Sequence, residues 1–428
     1  MELIKGKKQT KLGFIPNDWE VKKLKDISRF FLGLTYTPQY VDEGIPFLSV
    51  KDIKNGTINF NRTKFISEAE FESSTSNAKP KRGDILFGRV GSLGNPILVE
   101  TSKEFCIFVS LGFLRLKDKK TCPEFIVIWM QSALFWKQVY NQVSGSSQKN
   151  LNTGWLKEFY VPFPSTAEQL KISEILGAWS ESIHKYGKLL NEYIEQRKGL
   201  EQHLFSGKNR FPEFIKSNSF IKTPIGELPE DWELKHISDI TQRVKKSITP
   251  EPETLYREIG IRSHCKGIFH KVEVTGESLG NKSVFWIQPD CFVVNIVFAW
   301  EHAIAKTTEA EVGMIASHRF PMYKPKKGVL DLDYLLYYFK TARGKHLLGL
   351  ASPGGAGRNK TLGQSEFAKL KIPVPSLEEQ KRIVSVLSEA DKEIELLKQQ
   401  IAILKEQKKG LMQKLLTGEI RVKANNKE

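Results

Sequence analysis

The residues of this chain that could carry out covalent or hydrolytic chemistry do not assemble into a recognised constellation. Gly88, Gly91 and Gly94 are spaced by three, which does not match the turn that seats a pyrophosphate between a strand and a helix. Gly355 to Thr361 ends in Lys360-Thr361 like a phosphate loop, but Asn359 stands where the glycine before the lysine is needed. Pro289-Asp290 with Glu301 offers two carboxylates without the Glu-x-Lys that would complete a nuclease set. Glu301-His302 is read as a polar surface or core pair. The Asn/Asp-Pro-Pro-Tyr/Phe loop of an amine methyltransferase is missing, as is any His-Glu-x-x-His. Cys106, Cys122, Cys265 and Cys291 are far apart and form no Cys-x-x-Cys pair, so no metal site is expected. What remains is the chemistry of recognition, and it is cationic.

The chain has 428 residues and 65 Lys+Arg against 49 Asp+Glu, a net charge of +16. Such an excess attracts polyanions and speeds their capture, although a solvated lysine surface would give the same balance. Clusters of cations lie at Lys79-Pro80-Lys81-Arg82, Arg243-Val244-Lys245-Lys246, Arg262-Ser263-His264 with Lys266, and His318-Arg319. No run approaches the ~18 apolar residues of a membrane span, and the N-terminus lacks the apolar core of a signal peptide. Four unpaired thiols in a chain of this length fit a reducing cytoplasm.

The elements that must position these cations occur twice. Pro16-Asn17-Asp18-Trp19-Glu20-Val21-Lys22 recurs as Pro229-Glu230-Asp231-Trp232-Glu233-Leu234-Lys235. Val161-Pro162-Phe163-Pro164-Ser165 recurs as Ile372-Pro373-Val374-Pro375-Ser376. The segments Glu195–Gly207 and Glu406–Gly418 are identical at eight of thirteen positions. The chain is therefore a tandem duplication. Between the Trp-Glu and Pro-x-Pro motifs the halves share little: Phe87 to Gly94 has no close copy near Asn295 to Trp300.

Each repeat ends in a predicted long helix. Pro164 and Pro375 stop what precedes them, and Ser165-x-x-Glu168 and Ser376-x-x-Glu379 have the spacing of a capping box. Behind the first cap, Ile172, Leu176, Trp179, Ile183, Tyr186, Leu190, Tyr193, Arg197, Leu200 and Leu204 step by four and three. Behind the second, Ile383, Leu387, Ala390, Ile394, Leu397, Ile401, Leu404, Lys408, Leu411 and Leu415 step identically. This is a coiled-coil seam, and each run of about 40 residues would be roughly 60 Å long. Each helix must hide its seam, and the obvious partner is its duplicate. Parallel pairing would put both variable middles at one end. Antiparallel pairing, which is expected here, creates a pseudo-twofold axis and lets each middle pack on a helix end. Arg197 and Lys408 would sit in the seam, to snorkel or to set register. The middles read as mixed α/β, with strands at Gly83–Phe87, Cys106–Val109 and Cys291–Phe298. One helix is expected over Glu124–Val139 and another over Asp333–Leu348.

The doubled order of Pro-x-x-Trp-Glu, divergent middle, Pro-x-Pro-Ser and heptad helix ending in glycine resembles the specificity subunit of type I restriction–modification systems, over essentially the whole chain. The resemblance implies an α+β fold, with two α/β target-recognition domains separated by two long helices that form an antiparallel coiled coil. Residues 1–160 would be the first recognition domain, 161–208 the first helical region, 209–371 a linker and the second recognition domain, and 372–428 the second helical region and tail. It further implies double-stranded DNA as ligand, read as a bipartite asymmetric site. Two methyltransferase subunits, which would use S-adenosylmethionine, and restriction/translocase subunits would be partners. The chain itself would hold no cofactor and do no catalysis.

Phosphates need cations and base edges need flat or forked side chains. The residues expected to meet DNA are Lys81, Arg82, Arg89 and Ser92; the loop Ser146, Ser147, Gln148, Lys149, Asn150; its repeat counterpart Arg358, Asn359, Lys360; and Arg243, Lys245, Lys246, Arg262, His264, Lys266 and Arg319. Two other readings stay open on sequence alone: a stand-alone methyltransferase or nuclease with an unfamiliar site, and a coiled-coil scaffold that binds only protein.

Overall fold

A computed structural model describes residues 6–54, 56–91, 93–143, 150–354 and 360–423. The chain divides into two compact units. One comprises the residues up to Lys188 together with those from Gln399 onward, and the other is Leu189–Lys398. The division cuts through both long helices, Thr166–Phe205 and Leu377–Leu416, each of 40 residues. Each unit therefore owns the start of one long helix and the end of the other. No helix among the described residues is long and apolar enough to cross a membrane.

The repeated motifs pair with each other, which their separation in sequence conceals. Glu20–Lys23 runs antiparallel to Tyr160–Phe163, with Val21 opposite Pro162. Glu233–His236 pairs in the same way with Lys371–Val374, with Leu234 opposite Pro373. A two-stranded ribbon tolerates the prolines, because one edge of each strand needs no ladder donor. Each variable middle thus enters and leaves its frame at a single place.

The middles share a topology that their sequences hide. In the first unit a four-stranded antiparallel sheet runs in the order Gly94–Leu98, Ile85–Gly88, Leu111–Leu116, Ser28–Leu32. In the second the order is Ile304–Lys306, Phe292–Val294, Met322–Pro325, Thr241–Val244. The strand expected over Cys291–Phe298 ends at Val294, because the Asn295 side chain accepts from Val297 N and turns the chain. Each expected single helix is two: Pro123–Gln131 and Ala133–Val143, and Leu332–Lys340 and Ala342–Leu350. Ser132 (ψ 161°) and Thr341 (ψ 163°) are extended there, and their hydroxyls donate back to Trp129 O and Tyr338 O. Thr341 also caps the next helix by accepting from Gly344 N at 2.9 Å. A hydroxyl that competes with the helical ladder ends one helix and starts another.

Within each unit the long-helix halves are antiparallel. In the first, Lys408 Nζ donates to Ser180 Oγ, while Ile172 and Leu176 share a core with Met412, Leu415 and Leu416. In the second, Arg197 pairs with Asp391, while Leu204 and Phe205 share a core with Ile383 and Leu387. Rising number on one helix meets falling number on the other in both cases. Of the heptad positions, Ile172, Leu176, Leu204, Ile383, Leu387, Ile394 and Leu415 are buried. Trp179, Ile183, Leu190, Leu200, Leu397, Ile401, Leu404 and Leu411 are half-buried.

Each helix end is clamped to the frame by a matching set of polar contacts. Trp19 Nε1 donates to Glu168 and Trp232 Nε1 to Glu379. Arg421, just beyond the second helix, spans Asp18 and Glu168; Arg210, just beyond the first, spans Asp231 and Glu379. The expected capping boxes are thus half-formed. Ser165 and Ser376 accept from the N–H of Glu168 and Glu379, but both carboxylates turn to tryptophan and arginine instead. Gly207 (φ +66°) and Gly418 (φ +64°) close the helices with left-handed turns, and Lys208 N and Glu419 N reach back to His203 O and Lys414 O. A Cβ on either glycine would lie 2.3 Å from Pro229 or Pro16.

Candidate nucleic-acid interface

In each unit the four-stranded sheet presents one hairpin connection beside a short segment ahead of the Pro-x-Pro strand, Asn150–Leu151 in the first and Leu362 in the second. In the first, Arg89 follows the strand Ile85–Gly88. Its N–H donates to Ser110 O, and its carbonyl accepts from Leu151 N at 2.8 Å. Val90 bridges Asn150. Gly91 (φ +80°) and Gly94 (φ +74°) allow the turn, and a Cβ on Gly94 would meet the Trp136 ring at 2.7 Å. Arg89 and the exposed Asn150 are thereby brought together. Lys81 and Arg82 are exposed but precede the same strand, so its whole length separates them from Arg89. Asp84, which accepts from Lys81 N, is buried and gripped by Arg115 through two bonds of 2.8 and 2.6 Å. Ser92, Ser146, Ser147, Gln148 and Lys149 lie outside the described residues.

The second unit repeats the juxtaposition with different side chains. Leu362 N donates to Ile296 O at 2.8 Å, the counterpart of the bond from Leu151 to Arg89. Around the connection from Asn295 to Ala303 the structure gathers five of the residues expected to meet DNA: Arg262, His264, Lys266, Arg319 and Lys360. Arg319 O accepts from Ile296 N, and the Lys360 ammonium lies 5.7 Å from the Trp300 ring centre. The turn Arg262–Gly267 docks through His264 N to Glu301 O, Cys265 N to His302 O, and Ser263 Oγ to the Glu301 carboxylate. His264 and Cys265 take left-handed conformations (φ +61° and +55°) to do so. Arg262 donates to Ile268 O and stacks 4.9 Å from the Phe269 ring centre; Lys266 is exposed. His302 is buried and its pKa is pushed down to about 4, by burial first, then by Lys345 and His264.

Arg243, Lys245 and Lys246 stand apart from this group. Arg243 lies on the strand Thr241–Val244 in a cleft with Tyr323 and Gln364. Lys245 lies 5.2 Å from the Phe285 ring centre, and Lys246 O accepts from Trp286 N. Arg358 and Asn359 lie outside the described residues. Sequence reasoning passed over a cleft of about 310 Å³ beside the Asn295–Ala303 connection, where Lys282, His318 and Arg319 surround Asn295 and the half-exposed Phe298. Glu258, also in the cleft, is paired with Lys271 at 3.4 Å. The signal available was topological: this connection occupies the place of the Arg89 turn. Among the described residues no group of three or more His, Cys, Asp or Glu is placed to hold a metal ion. The arrangement of the described residues suits docking of an anionic, edge-rich ligand.

Comparison with known proteins agrees with the duplicated fold. The model of the type I restriction modification DNA specificity domain matches twice, over residues 16–194 and 229–406, each starting at a repeated proline. The chain is 26% identical to the putative type I restriction enzyme MjaX specificity subunit of Methanocaldococcus jannaschii, over 97% of both chains. It is 23% identical to the MjaVIII specificity subunit of the same organism, over 96% of this chain and 95% of that one. Among solved structures, the HsdS subunit from Thermoanaerobacter tengcongensis shares its fold, with TM-score 0.51, 18% identity, and 95% and 98% of the two chains covered. A chain from a structure of the assembly and conformational transition of a type I R-M system superposes with TM-score 0.57 at 15% identity, over 95% and 99%. With both repeats matched and relatives aligned from end to end, this chain belongs to the type I restriction–modification DNA specificity family.

Proposed function

We propose that the chain reads a bipartite, asymmetric DNA site, one part through each unit's hairpin-and-loop surface, and positions methyltransferase and restriction subunits on it without catalysing a step itself. One observation carries this reading: the two units share sheet topology, ribbon and helix clamps, yet differ in the side chains they present at equivalent loops, Arg89 against Ile296. A constant frame holding unlike loops is what two readings of one duplex require. Arg319, Lys282 and the exposed Lys81 and Arg82 would neutralise phosphates, which fix position, while the loops read base edges. The two long helices would set the unread gap. Two methyltransferase subunits would supply base flipping and methyl transfer, because a target amine is out of reach inside a stacked duplex.

The test is an exchange of residues 20–160 for another middle, followed by sequencing of the methylated sites in cells. One half of the recognised sequence is expected to change; a change in both halves overturns the modular reading. Binding by the chain with its methyltransferase partner should fall steeply with salt, and each phosphate contact removed, as in Lys282→Ala, should lower the slope by about one. Methyl transfer by the purified chain alone would overturn the non-catalytic assignment.

A further inference from the structure

The Arg89 guanidinium is half-buried and has no carboxylate partner among the described residues. Its Nη1 donates to Val109 O at 3.1 Å, and its Nε is buried without an acceptor. Burial lowers its pKa, the sign of a charge held at a cost in desolvation. The neighbourhood is shaped for it. A Cβ on Gly112 would lie 3.1 Å from Arg89 Cδ and 2.9 Å from Phe87 Cζ, so only glycine leaves room for the stem. The backbone is fixed on both sides, by Ser110 and by Leu151. This is a rigid fork, unlike the exposed Lys81 and Arg82.

We infer that Arg89 is a specificity-determining residue of the first unit, and that the end of its guanidinium, Nη2 with the second hydrogen of Nη1, reads the acceptor edge of a guanine. This rests on the reading of the chain as a DNA specificity subunit. Two features favour a base over a phosphate. A phosphate is met by an exposed, adaptable cation such as Lys81 or Arg82, whereas the Arg89 guanidinium is half-buried and held at Val109 O. The residue making the equivalent backbone contact in the second unit is Ile296, which cannot donate a side-chain hydrogen bond. A guanine presents two adjacent acceptors, O6 and N7, that a guanidinium meets with paired donors and an ammonium cannot.

The experiment is methylome sequencing of cells carrying the wild-type chain, Arg89→Lys or Arg89→Gln, with the same partner subunits. In the wild type one half-site is expected to contain a G·C pair that both variants relax. Discrimination there should fall on the order of 5- to 150-fold, with the remaining positions and the other half-site unchanged. A motif that stays intact while methylation weakens uniformly would assign Arg89 to a phosphate and overturn the inference. Loss of all methylation in both variants would make the side chain structural and overturn it equally. If the wild-type chain directs no methylated motif at all, it is the underlying DNA reading that fails.

Discussion

Replacing Arg210 with alanine should destabilise the second unit far more than replacing Arg421 destabilises the first, although the two arginines occupy the same place in the duplication. Arg210 donates to Glu379 at 2.8 and 2.9 Å, to Asp231 at 2.7 and 3.0 Å, and to Phe214 O. Its side chain is 5% exposed and that of Glu379 is 2% exposed. The carboxylates raise the Arg210 pKa well above its ordinary value, Glu379 first. Removing the guanidinium strands a buried carboxylate with only the Trp232 indole for company, which costs about 3–5 kcal/mol. Arg421 makes the same double fork and the Glu168 side chain is likewise buried at 5%, but the Arg421 side chain is 45% exposed and that of Asp18 is 62% exposed, so the space Arg421 leaves opens to solvent. Water can replace much of that contact, so its loss should cost ~1–2 kcal/mol, between the exposed and buried limits. Calorimetry on the full chain, with hydrogen exchange to assign each transition to its unit, reads both. A loss of 3–5 kcal/mol corresponds to roughly 6–20 °C in a unit of this size. Adding Glu379→Gln to Arg210→Ala should recover part of the loss, because the stranded charge is its main cause. Equal effects of the two single variants, or a double variant that is merely additive, would refute the reasoning.

Four further outcomes follow from the same geometry. Gly418→Ala forces a Cβ against Pro16 at a left-handed φ, and should cost about 2–4 kcal/mol in thermal melting of the first unit. Lys408, half-buried with Ser180 Oγ as its one partner among the described residues and a pKa lowered by burial, should be replaceable by methionine with a gain of up to about 1 kcal/mol in denaturant unfolding. Arg197→Met should instead lose about 1–3 kcal/mol, because it abandons Asp391 and Glu201. His302, with a folded pKa of about 4 against an ordinary 6.5, accepts a proton in the unfolded chain first. Its contribution is therefore complete above pH 6.5 and lost as pH falls toward 4, by up to about 3 kcal/mol. His302→Asn, which tolerates the left-handed backbone, should flatten that part of the pH–stability curve.

The division between sequence and structure follows the range of the forces involved. Duplication, helix length, the four-and-three seam and the closing glycines are local or periodic, so they can be read from the residues themselves. Helix breaks at Ser132 and Thr341 were not legible, because a hydroxyl's choice between solvent and the backbone depends on the packing of the preceding turn. Of the cations, Arg262, His264, Lys266, Arg319 and Lys360 gather around one connection while Arg243, Lys245 and Lys246 do not, and nothing in their spacing distinguishes the two sets. Glu168 and Glu379 show the difference most clearly. Three residues after a serine, each looks like half of a capping box. Only the fold brings Trp19 and Arg421, or Trp232 and Arg210, within reach, and a buried carboxylate takes the charged partner over a local backbone N–H because that bond is the stronger one.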